Sequence, residues 1–595
     1  MTQVRDLRVG GCSGFWGESP HAVRQMLDRG SIDILVFDYL AEITMSIMAR
    51  ARASDPKLGF ARDFVTEVLK PNLPAIADKG IKVIANAGGV NSRSCAESVR
   101  ELIADAKLEL KVAVVSGDDL LSRASEFAKN DLKEMFSSEG FPEPDCVASI
   151  NAYLGAFPIA AALAAGADIV ITGRCVDSAV TLGACIHHFG WEHADLDELA
   201  GGSLAGHVLE CSTQATGGNF TDWQDVSGTL NDIGYPIAEV SADGSFVVTK
   251  PPNTGGAVTV GTVSEQMLYE IGDPQAYVLP DVTCDFSEAR LEQIDSDRVR
   301  VSGARGGTPP DHYKVSATYA DGYRGGQLLF FYGDDAGQKA QAYADAVVTR
   351  SEQRLQAASY EPFSETCIET FGDESHYGTS RRVAGSREVT LKIAAKHPRK
   401  EGIAILLAET IGMALGAPPG LALFQGGRPR PSPVVRLFSF LVPKNEVVID
   451  VTVDDAPVEL PVPGPVPIRS FERPSVPVVD PREANTKVRL FELAWGRSGD
   501  KGNNANIGII ARKPEYLPWI WNAITEECLA ERFSHFLEGP VERFLMPGPN
   551  AINFLLHDVL GGGGIASLRN DPQGKGYSQL LLDEEIPIPD FLLES

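Results

Sequence analysis

The densest group of reactive side chains lies in one thirteen-residue segment that begins at His207. His207 and Glu210 supply an imidazole and a carboxylate for acid–base chemistry, and Cys211 adds a thiol. Gly217 and Gly218 follow, and glycines let backbone N–H groups come close to a developing oxyanion. Two alternatives stay open: Cys211 as a nucleophile with His207 as its base, and a plain glycine-rich turn beside a structural thiol. The segment therefore predicts acid–base or acyl-transfer chemistry.

A second group of polar residues follows five predicted strands in the first third of the chain. In parallel α/β domains, ligands bind beyond the carboxyl ends of the strands, so we expect the five segments to share one rim of a single sheet. Such turns also favour Gly, Asn and Asp simply as caps, which is the alternative for each turn taken alone. The predicted strands 7–10, 32–37, 81–85, 110–115 and 169–172 lead into segments 10–14, 38–39, 86–91, 117–119 and 173–177.

These segments, and four basic or polar loops further along, supply the predicted site residues. Carboxylates would move protons, while cations on a stiff loop or in a glycine-rich nest would hold a carboxylate or phosphate. Solvated or salt-bridged structural roles are the alternative for the cations. The predicted catalytic residues are His207, Glu210, Cys211, Asp118 and Asp177. The predicted substrate-binding residues are Ser13, Asn86, Gly88, Gly89, Asn91, Arg174, Gly217, Gly218, Asn219, Asn253, Thr254, Arg428, Lys501 and Arg569.

Familiar cofactor and metal motifs do not fit the sequence. Gly11, Gly14 and Gly17 lack the G-x-G-x-x-G spacing of a dinucleotide site, and the glycine run at 561–564 is not a P-loop. His187 and His188 are adjacent, so on a helix they point in different directions and make a poor chelate. The sequence predicts no metal site and identifies no cofactor, although coenzyme A could enter as part of a substrate.

Composition excludes several classes of protein. The chain has 595 residues, of which 44% are hydrophobic and 22% are charged, so it has the composition of a globular protein. Its net charge of −27 disfavours binding to nucleic acid or to an anionic membrane surface. The nine cysteines are scattered and never form C-x-x-C, which favours reduced thiols. With no apolar run of membrane-spanning length and no signal layout at the N-terminus, the sequence predicts a soluble, cytoplasmic protein.

The order of predicted elements indicates an α/β fold with further α+β layers. Apolar strands alternating with helices predict a parallel-sheet α/β domain over residues 1–275, which would carry the site. Strand pairs alternating with single helices over 276–455 predict α+β layers of the ferredoxin-like kind, with a hairpin formed by 315–319 and 327–332. A Pro-rich linker at 456–485 and a small α+β C-terminal domain at 486–595 complete the prediction.

Several sequence motifs together match one known family. In the first 453 residues they are GGCSGFWGESP (10–20), DYLAEITMS (38–46), NAGGVN (86–91), VSGDDL (115–120), TGRCVDSA (172–179), HVLECSTQATGGNFTDW (207–223), PPNTGGAVTVGTVSEQMLYEIGDP (251–274) and GARGGTPPDHYKV (303–315). The chain thereby resembles the acyclic terpene utilization protein AtuA family. AWGRSGDKGNNANIGIIAR (494–512) and GGGGIASLRNDPQGK (561–575) resemble the small C-terminal domain often attached to it. The resemblance implies catabolism of branched acyl-CoA compounds such as terpenoids, and it assigns no catalytic residue.

Residues and resemblance together predict an enzyme with hydratase or lyase chemistry on a branched acyl-CoA or a related hydroxy acid. Such reactions form an enolate-like thioester oxyanion, which backbone amides at 88–89 or 217–218 would stabilise while a carboxylate moves the proton. The alternatives are a hydrolase or transferase that uses Cys211 or Cys175, and a non-catalytic subunit or assembly partner of an acyl-CoA carboxylase. A homo-oligomer is expected, with a small-molecule ligand and no nucleic-acid or membrane partner.

Overall fold

The computed structural model describes residues 5–383, 385–424 and 429–593. The α-helices are α1 (His21–Gln25), α2 (Glu42–Ser54), α3 (Lys70–Lys79), α4 (Ser92–Asp105), α5 (Ala124–Lys129), α6 (Phe157–Ala164), α7 (Ala179–Phe189), α8 (Leu196–Glu210), α9 (Val260–Leu268), α10 (Ala336–Ala357), α11 (Lys400–Gly412), α12 (Leu490–Leu493), α13 (Leu517–Ala523), α14 (Glu526–Arg532) and α15 (Tyr577–Leu581). The strands are β1 (Leu7–Gly11), β2 (Ile34–Phe37), β3 (Lys82–Ala85), β4 (Val112–Ser116), β5 (Val147–Ala152), β6 (Ile169–Thr172), β7 (Ile237–Val240), β8 (Phe246–Thr249), β9 (Tyr277–Val278), β10 (Thr283–Asp285), β11 (Arg290–Asp295), β12 (Arg298–Ser302), β13 (Arg305–Gly307), β14 (His312–Tyr332), β15 (Glu365–Phe371), β16 (Glu388–His397), β17 (Leu421–Ala422), β18 (Ser432–Pro443), β19 (Asp450–Val453), β20 (Ala456–Pro457), β21 (Thr486–Arg489), β22 (Ala494–Lys501), β23 (Asn504–Ala511), β24 (Val541–Met546), β25 (Ala551–Leu556) and β26 (Glu585–Ile588).

The largest sheet has five parallel strands at its centre, in the order β1-β2-β3-β6-β4. β2 and β6 have the apolar sequences ILVF and IVIT and are buried along their whole length, as expected for parallel strands covered by helices. Antiparallel strands extend the sheet beyond β1 and beyond β4. Because the five central strands run in one direction, their carboxyl ends meet at one rim. The prediction that the five strand-end segments share a rim is confirmed.

A six-stranded antiparallel sheet is built around β14, the longest strand. The elements β14, α10, β15, β16, α11 and β18 follow one another, and the strands lie in the order β15-β16-β14-β18. This connectivity is the split βαβ arrangement of ferredoxin-like folds, which confirms the predicted α+β layers.

The predicted hairpin within this sheet is wrong. Segments 315–319 and 327–332 belong to the single strand β14, with a register shift between Ala320 and Tyr323 where a turn was expected. The first part of β14 pairs with β5 and the second part with β16, while β18 runs along the first part. Each part therefore pairs with partners distant in sequence, which a local pattern does not specify.

The C-terminal residues form a third layer, the antiparallel sheet β22-β23-β25-β24. This α+β unit packs on the α/β part of the chain through polar contacts. The indole of Trp495 donates to Asp222 at 2.7 Å, and the Asn506 side chain donates to the carbonyl of Leu268 at 2.6 Å while accepting from the amide of Glu270 at 2.9 Å. Because β22 ends at Lys501, this packing brings a lysine to Glu270.

The Pro-rich segment lies against the surface as an extended strap. Arg469 pairs with Asp197 at 2.7 Å, and Arg473 pairs with Asp273 at 2.5 Å. The N–H of Arg469 also donates to the Thr308 hydroxyl, and the carbonyl of Arg469 accepts from the N–H of Thr308. Strand pairing also crosses residue 275, because β12 joins β8 and β19 joins β4 in the central sheet. The predicted domain limits remain a prediction. A unit that ended at residue 275 would lack β12 and β19, which are part of the central sheet.

Candidate functional site

Glu210 and His207 form a buried pair in the last turn of α8. They are three positions apart, so they lie on one helix face, and Oε1 of Glu210 is 2.9 Å from Nδ1 of His207. Nε2 of His207 lies 3.2 Å from the carbonyl oxygen of Met267. Because a carbonyl only accepts, Nε2 carries a hydrogen, and Nδ1 and Oε1 share a second proton between them. The pair is able to store and release one proton.

The second oxygen of Glu210 has unused hydrogen-bonding capacity. Oε2 is buried and has no hydrogen-bond partner among the described residues. Burial raises the pKa of Glu210, and the charge of Asp177 adds to this, whereas the His207 ring opposes it. A carboxyl with a raised pKa and a free oxygen has the properties of a general acid or base near neutral pH.

Asp38 places another carboxyl on the rim, directly after β2. The amide of Asn86 donates to Asp38 Oδ1, and the same Asn86 side chain accepts from the backbone N–H of Tyr39 at 2.7 Å. Burial and the charge of Asp177 raise the pKa of Asp38 well above its usual range, against the opposing charge of Arg174. The predicted residue Asn86 thus positions Asp38.

Arg174 and Asp177 lie after β6 and face the same region. Nη1 of Arg174 donates to Asp177 at 2.7 Å, and the guanidinium lies 4.3 Å from the ring centre of Tyr153. The Tyr153 hydroxyl donates to Glu42 at 2.5 Å, and Lys314 from β14 lies 3.9 Å from the same carboxylate. Burial would raise the pKa of Glu42, but the charges of Lys314 and Arg174 lower it to about 2. Glu42 is therefore an anion at neutral pH.

The C-terminal layer contributes two lysines, Lys501 and Lys575, and the carboxyl group of Asp500. Glu270, two residues after α9, lies 3.7 Å from Nζ of Lys501 and 3.2 Å from Nζ of Lys575. Lys575 also contacts the hydroxyl of Tyr269 and lies 3.5 Å from Asp500. Burial raises the pKa of Glu270, and Asp177 adds to this, while Lys501 opposes it.

These groups come together where the rim of the parallel sheet meets the C-terminal layer, the region here called the cleft. The charge of Asp177 acts on Asp38, on Glu210 and on Glu270, so the three carboxyls lie around it. The side chain of His207 is fully buried, whereas that of Asp177 is 33% exposed and that of Lys501 39% exposed. This region combines a buried acid–base pair with charged groups that reach solvent.

The amides predicted as oxyanion donors all make hydrogen bonds within the protein. The N–H of Gly88 donates to the carbonyl of Thr172 at 3.0 Å, and that of Gly89 donates to Asn86 at 3.3 Å. The N–H groups of Gly217 and Gly218 both donate to the carbonyl of Thr213. These glycines serve tight turns instead: Gly89 and Gly217 have φ of 54° and 109°, a region that glycine enters without strain. In this structure the four amides are therefore engaged in their own turns.

Asp118, a predicted catalytic residue, holds two strand ends together. Its Oδ2 accepts from the Asn151 side chain and from the N–H of Arg174, both at 2.8 Å. It lines a cavity of about 160 Å³ with Gly89 and Asn91. Burial raises its pKa to about 6, against these hydrogen bonds. We therefore assign Asp118 to the support of the rim.

We expect Asp118→Ala to destabilise the protein. The change leaves two buried donors unpaired, at ~1–3 kcal/mol each, so the free energy of unfolding should fall by ~2–5 kcal/mol in urea denaturation. Asp119→Ala is the matched control, because Asp119 is part-exposed and pairs with Arg52 at 2.8 Å, a contact worth ~1 kcal/mol or less. Equal stability of the two variants would contradict the assignment.

The other predicted binding residues make structural contacts within the protein. Ser13 donates to the carbonyl of Phe15, and Asn91 caps α4 by accepting from the N–H of Ser94. The carbonyl of Asn219 accepts from Arg497 at 2.9 Å, which links the 207–219 segment to β22. Asn253 and Thr254 form a turn whose carbonyls accept from Arg29 and Lys250. Arg569 donates to the carbonyls of Val559 and Phe536. Arg428 lies outside the described residues.

Cys211 follows α8 at the edge of the cleft, and the nearby His207 is not free to act as its base. Both ring nitrogens of His207 are already engaged, by Glu210 and by Met267. Burial raises the pKa of Cys211 well above its ordinary value, and the charge of Glu210 adds to this. Burial also raises the pKa of Cys175 to about 12. Both thiols therefore stay protonated, the less nucleophilic form.

Sequence reasoning missed Glu42, Glu270, Tyr269 and the full role of Lys575. The glutamates sit in DYLAEITMS and MLYEIGDP, motifs that matched the family but whose spacing predicts no chemistry. Lys575 was visible only as one more basic group after the glycine run. Their grouping depends on the packing of β22 against α9, which places residues about 230 to 300 positions apart in contact.

We expect stability to be highest in mildly acidic solution. Burial raises the pKa of Asp118 and of Asp281 to about 6 and that of Glu265 to about 7, so the folded state binds more protons than the unfolded state between pH ~4 and ~7. The free energy of unfolding therefore falls as pH rises through this window. The pKa of Glu42 and of Glu369 is lowered to about 2, so their contribution is lost as pH falls from ~4.5 to ~2.

Thermal melts across pH 3 to 9 test this, with Glu265→Gln as the diagnostic variant. Tm should peak between pH ~4.5 and ~6, and the Gln variant should lose less Tm between pH ~5 and ~8 than the wild type. A Tm that rises from pH 5 to pH 8 would be incompatible with these buried carboxyls.

The described residues form neither a membrane-spanning helix nor a cluster of metal-binding side chains. No helix in 5–383, 385–424 or 429–593 has both the length and the apolar character needed to cross a membrane. Within the same ranges, no group of three or more His, Cys, Asp or Glu side chains is placed to hold a metal ion. All nine cysteines are free thiols.

Comparison with known proteins identifies the family of the chain. The model of the acyclic terpene utilisation family protein AtuA matches residues 7–453, and that of the AtuA ferredoxin-like domain matches residues 488–587. No curated protein and no solved structure matches the chain. The first model spans the parallel-sheet rim, α8 and the β14 sheet, and the second spans the layer that carries Lys501 and Lys575. Because the first match covers well over half of its length, the chain belongs to the acyclic terpene utilisation AtuA family.

Proposed function

We propose that this protein is an enzyme with hydratase or lyase chemistry on a branched acyl thioester or a related hydroxy acid. The observation that carries the proposal is the buried Glu210–His207 pair, whose free Glu210 oxygen shares a cleft with Lys501. Membership of a terpene-utilisation family supports a branched, apolar acyl chain as the substrate. Coenzyme A would enter only as part of that substrate.

Glu210 would remove the proton from the carbon next to the thioester carbonyl. His207 holds the carboxyl in place through Nδ1 and adjusts the shared proton when Glu210 changes charge. Burial keeps the carboxylate poorly solvated, which makes it a stronger base than an exposed glutamate.

Lys501 would stabilise the negative charge that forms on the thioester oxygen. Partial loss of water disfavours its ammonium, but Tyr277, Glu270 and the carboxylates nearby raise its pKa, so the side chain stays charged. A fixed cation in a partly desolvated cleft stabilises an enolate more than water does. This role replaces the backbone amides, which are occupied in their turns.

The two alternative functions receive less support. A thiol mechanism needs a thiolate, and burial raises the pKa of Cys211 and of Cys175 above the ordinary value of a thiol. A carboxylase subunit without chemistry of its own stays a prediction, as do the homo-oligomer and the cytoplasmic location. A purely structural role would leave the free, buried oxygen of Glu210 without a reason.

A screen of purified protein against branched hydroxyacyl and enoyl thioesters, and the matching free hydroxy acids, tests the proposal. Mass spectrometry should detect gain or loss of one water, or cleavage of a carbon–carbon bond, in at least one member. Glu239→Gln serves as the control. Glu239 is a part-buried glutamate on β7 that pairs with Arg298 at 2.5 Å. Thioester hydrolysis alone, lost in Cys211→Ala, would favour the thiol alternative instead.

A further inference from the structure

The first turn of α4 leaves two backbone donors without a partner. Of the four N–H groups that a helix N-terminus exposes, those of Ser94 and Cys95 donate to the side chain and to the carbonyl of Asn91. The N–H groups of Ser92 and Arg93 donate to no other described residue. Unpartnered N–H groups at a helix N-terminus carry partial positive charge, and such groups hold phosphates in many α/β proteins.

Two side chains of the same turn are also unused. Ser92 is only 8% exposed, yet its hydroxyl makes no hydrogen bond to any described residue, which is unusual for a buried polar group. Arg93 is exposed and forms no ion pair within the described ranges. An arginine in the first turn is unfavourable because the positive end of the helix repels it, and α4 has no acidic residue there to offset its charge. A bound anion would remove this repulsion.

Ser92 and Arg93 line the cavity of about 160 Å³ on the rim of the central sheet. Residues 89–93 form one wall, and residues 116–119, at the end of β4, form the other. The first N–H groups of a helix point toward the residues that precede it, which here are the residues of the first wall. The volume is that of about five water molecules in the liquid, so the cavity accommodates one oxyanion group and not a whole cofactor.

The two carboxylates in the second wall already have partners. Asp119 pairs with Arg52 at 2.8 Å, which offsets its charge. Asp118 accepts from the Asn151 side chain and from the N–H of Arg174, both at 2.8 Å. The arginine of the first wall, which shares the cavity with them, has no such partner among the described residues. The unused capacity of the cavity is therefore on the side of the donors.

We propose that this cavity binds the phosphate group of a small ligand, with Ser92 and Arg93 as its donors. The two N–H groups, the serine hydroxyl and a guanidinium that binds through two nitrogens offer about five donors. A carboxylate accepts about four hydrogen bonds on its two oxygens, whereas a phosphate monoester presents three strongly accepting oxygens, so the donor set favours phosphate. Neither residue takes part in the proposed reaction, so this site lies beyond the proposed function.

Isothermal titration calorimetry of the full-length protein tests the site without any turnover. Inorganic phosphate and coenzyme A, which carries phosphate groups, are titrated separately in EDTA at constant ionic strength. We expect saturable binding of at least one probe, weakened at least ~10-fold in Arg93→Gln and ~3- to 10-fold in Ser92→Ala. Tighter binding of coenzyme A than of phosphate assigns the phosphate to a larger carrier, and the opposite order assigns it to the free ion.

Arg24→Gln is the matched control, because Arg24 is an exposed arginine on α1, and this variant should bind as the wild type does. Thermal melts give a second readout. Without a probe, Arg93→Gln should melt at or above the Tm of the wild type, because the repulsion at the helix end is gone, and saturating probe should reverse the order. No binding of either probe to the wild type, equal weakening in Arg93→Gln and Arg24→Gln, or a lower Tm of Arg93→Gln without a probe would overturn the inference.

Discussion

Glu210→Gln should fold as the wild type does and lose between ~10² and ~10⁴ in kcat. The substitution keeps the size of the side chain and its contact with Nδ1 of His207, but an amide does not take up a proton at neutral pH. Substrate binding should change little, because the loss falls on proton transfer and not on ground-state contacts. Steady-state kinetics and circular dichroism on the same preparation measure both quantities.

Two comparison variants make this result specific to Glu210. Glu239→Gln removes a part-buried carboxylate on β7 that pairs with Arg8 and Arg298, so it should reduce stability while turnover per folded molecule stays normal. Cys211→Ala should reduce kcat by less than ~10-fold, because the thiol only packs at the edge of the cleft. A folded, inactive Cys211→Ala protein beside an active Glu210→Gln protein would reverse the assignment of roles.

Lys501→Met should raise KM by ~10- to 100-fold. The substitution keeps the length of the side chain and removes its charge, and an interaction with a charged partner contributes ~1.5–3 kcal/mol to binding. If Lys501 also stabilises the enolate, kcat falls as well, so the ratio of the two effects reports how much of the contact forms only in the transition state. Lys487→Met is the surface control.

The same variant should shift the pH dependence of turnover. Lys501 lowers the pKa of both Glu210 and Glu270, so its removal should move the acidic limb of the kcat profile to higher pH. An unchanged acidic limb together with an unchanged KM would remove Lys501 from the site. The two readouts separate a loss of binding from a loss of electrostatic tuning.

The rim of the site was predictable because buried parallel strands are recognisable from short apolar stretches of sequence. Short apolar runs such as ILVF and IVIT must be buried on both faces, so β2 and β6 were identifiable and their carboxyl ends had to meet. The same reasoning located Asn86, Arg174 and Asp177. Glu210 and His207 were recognisable from their spacing on what proved to be the last turn of α8.

The glycine-rich turns show what a sequence pattern leaves open about backbone amides. A glycine-rich turn predicts close backbone approach, but it does not say whether the N–H groups are already bonded. At Gly88 and Gly218 they are, to the carbonyls of Thr172 and Thr213, because each turn must satisfy its own buried amides. The glycines here close turns and do not bind charge.

The opposite wall of the cleft was not predictable from local pattern. Glu270, Lys501 and Lys575 come together because the C-terminal layer packs on the α/β part of the chain, where Asn506 on β23 binds the backbone on either side of Tyr269. Contacts between segments more than 200 residues apart leave no periodic signal in a single sequence. Tyr269 and Lys575 became candidates only after that packing was known.

Hydrogen exchange at the substrate tests the central claim most directly. Incubation of the protein in D₂O with a branched acyl thioester, followed by NMR of the carbon next to the carbonyl, measures proton removal without requiring turnover. We expect the wild type and Glu239→Gln to introduce deuterium at that carbon at similar rates, and Glu210→Gln to do so at least ~100-fold more slowly. Exchange at the wild-type rate in Glu210→Gln would contradict the account.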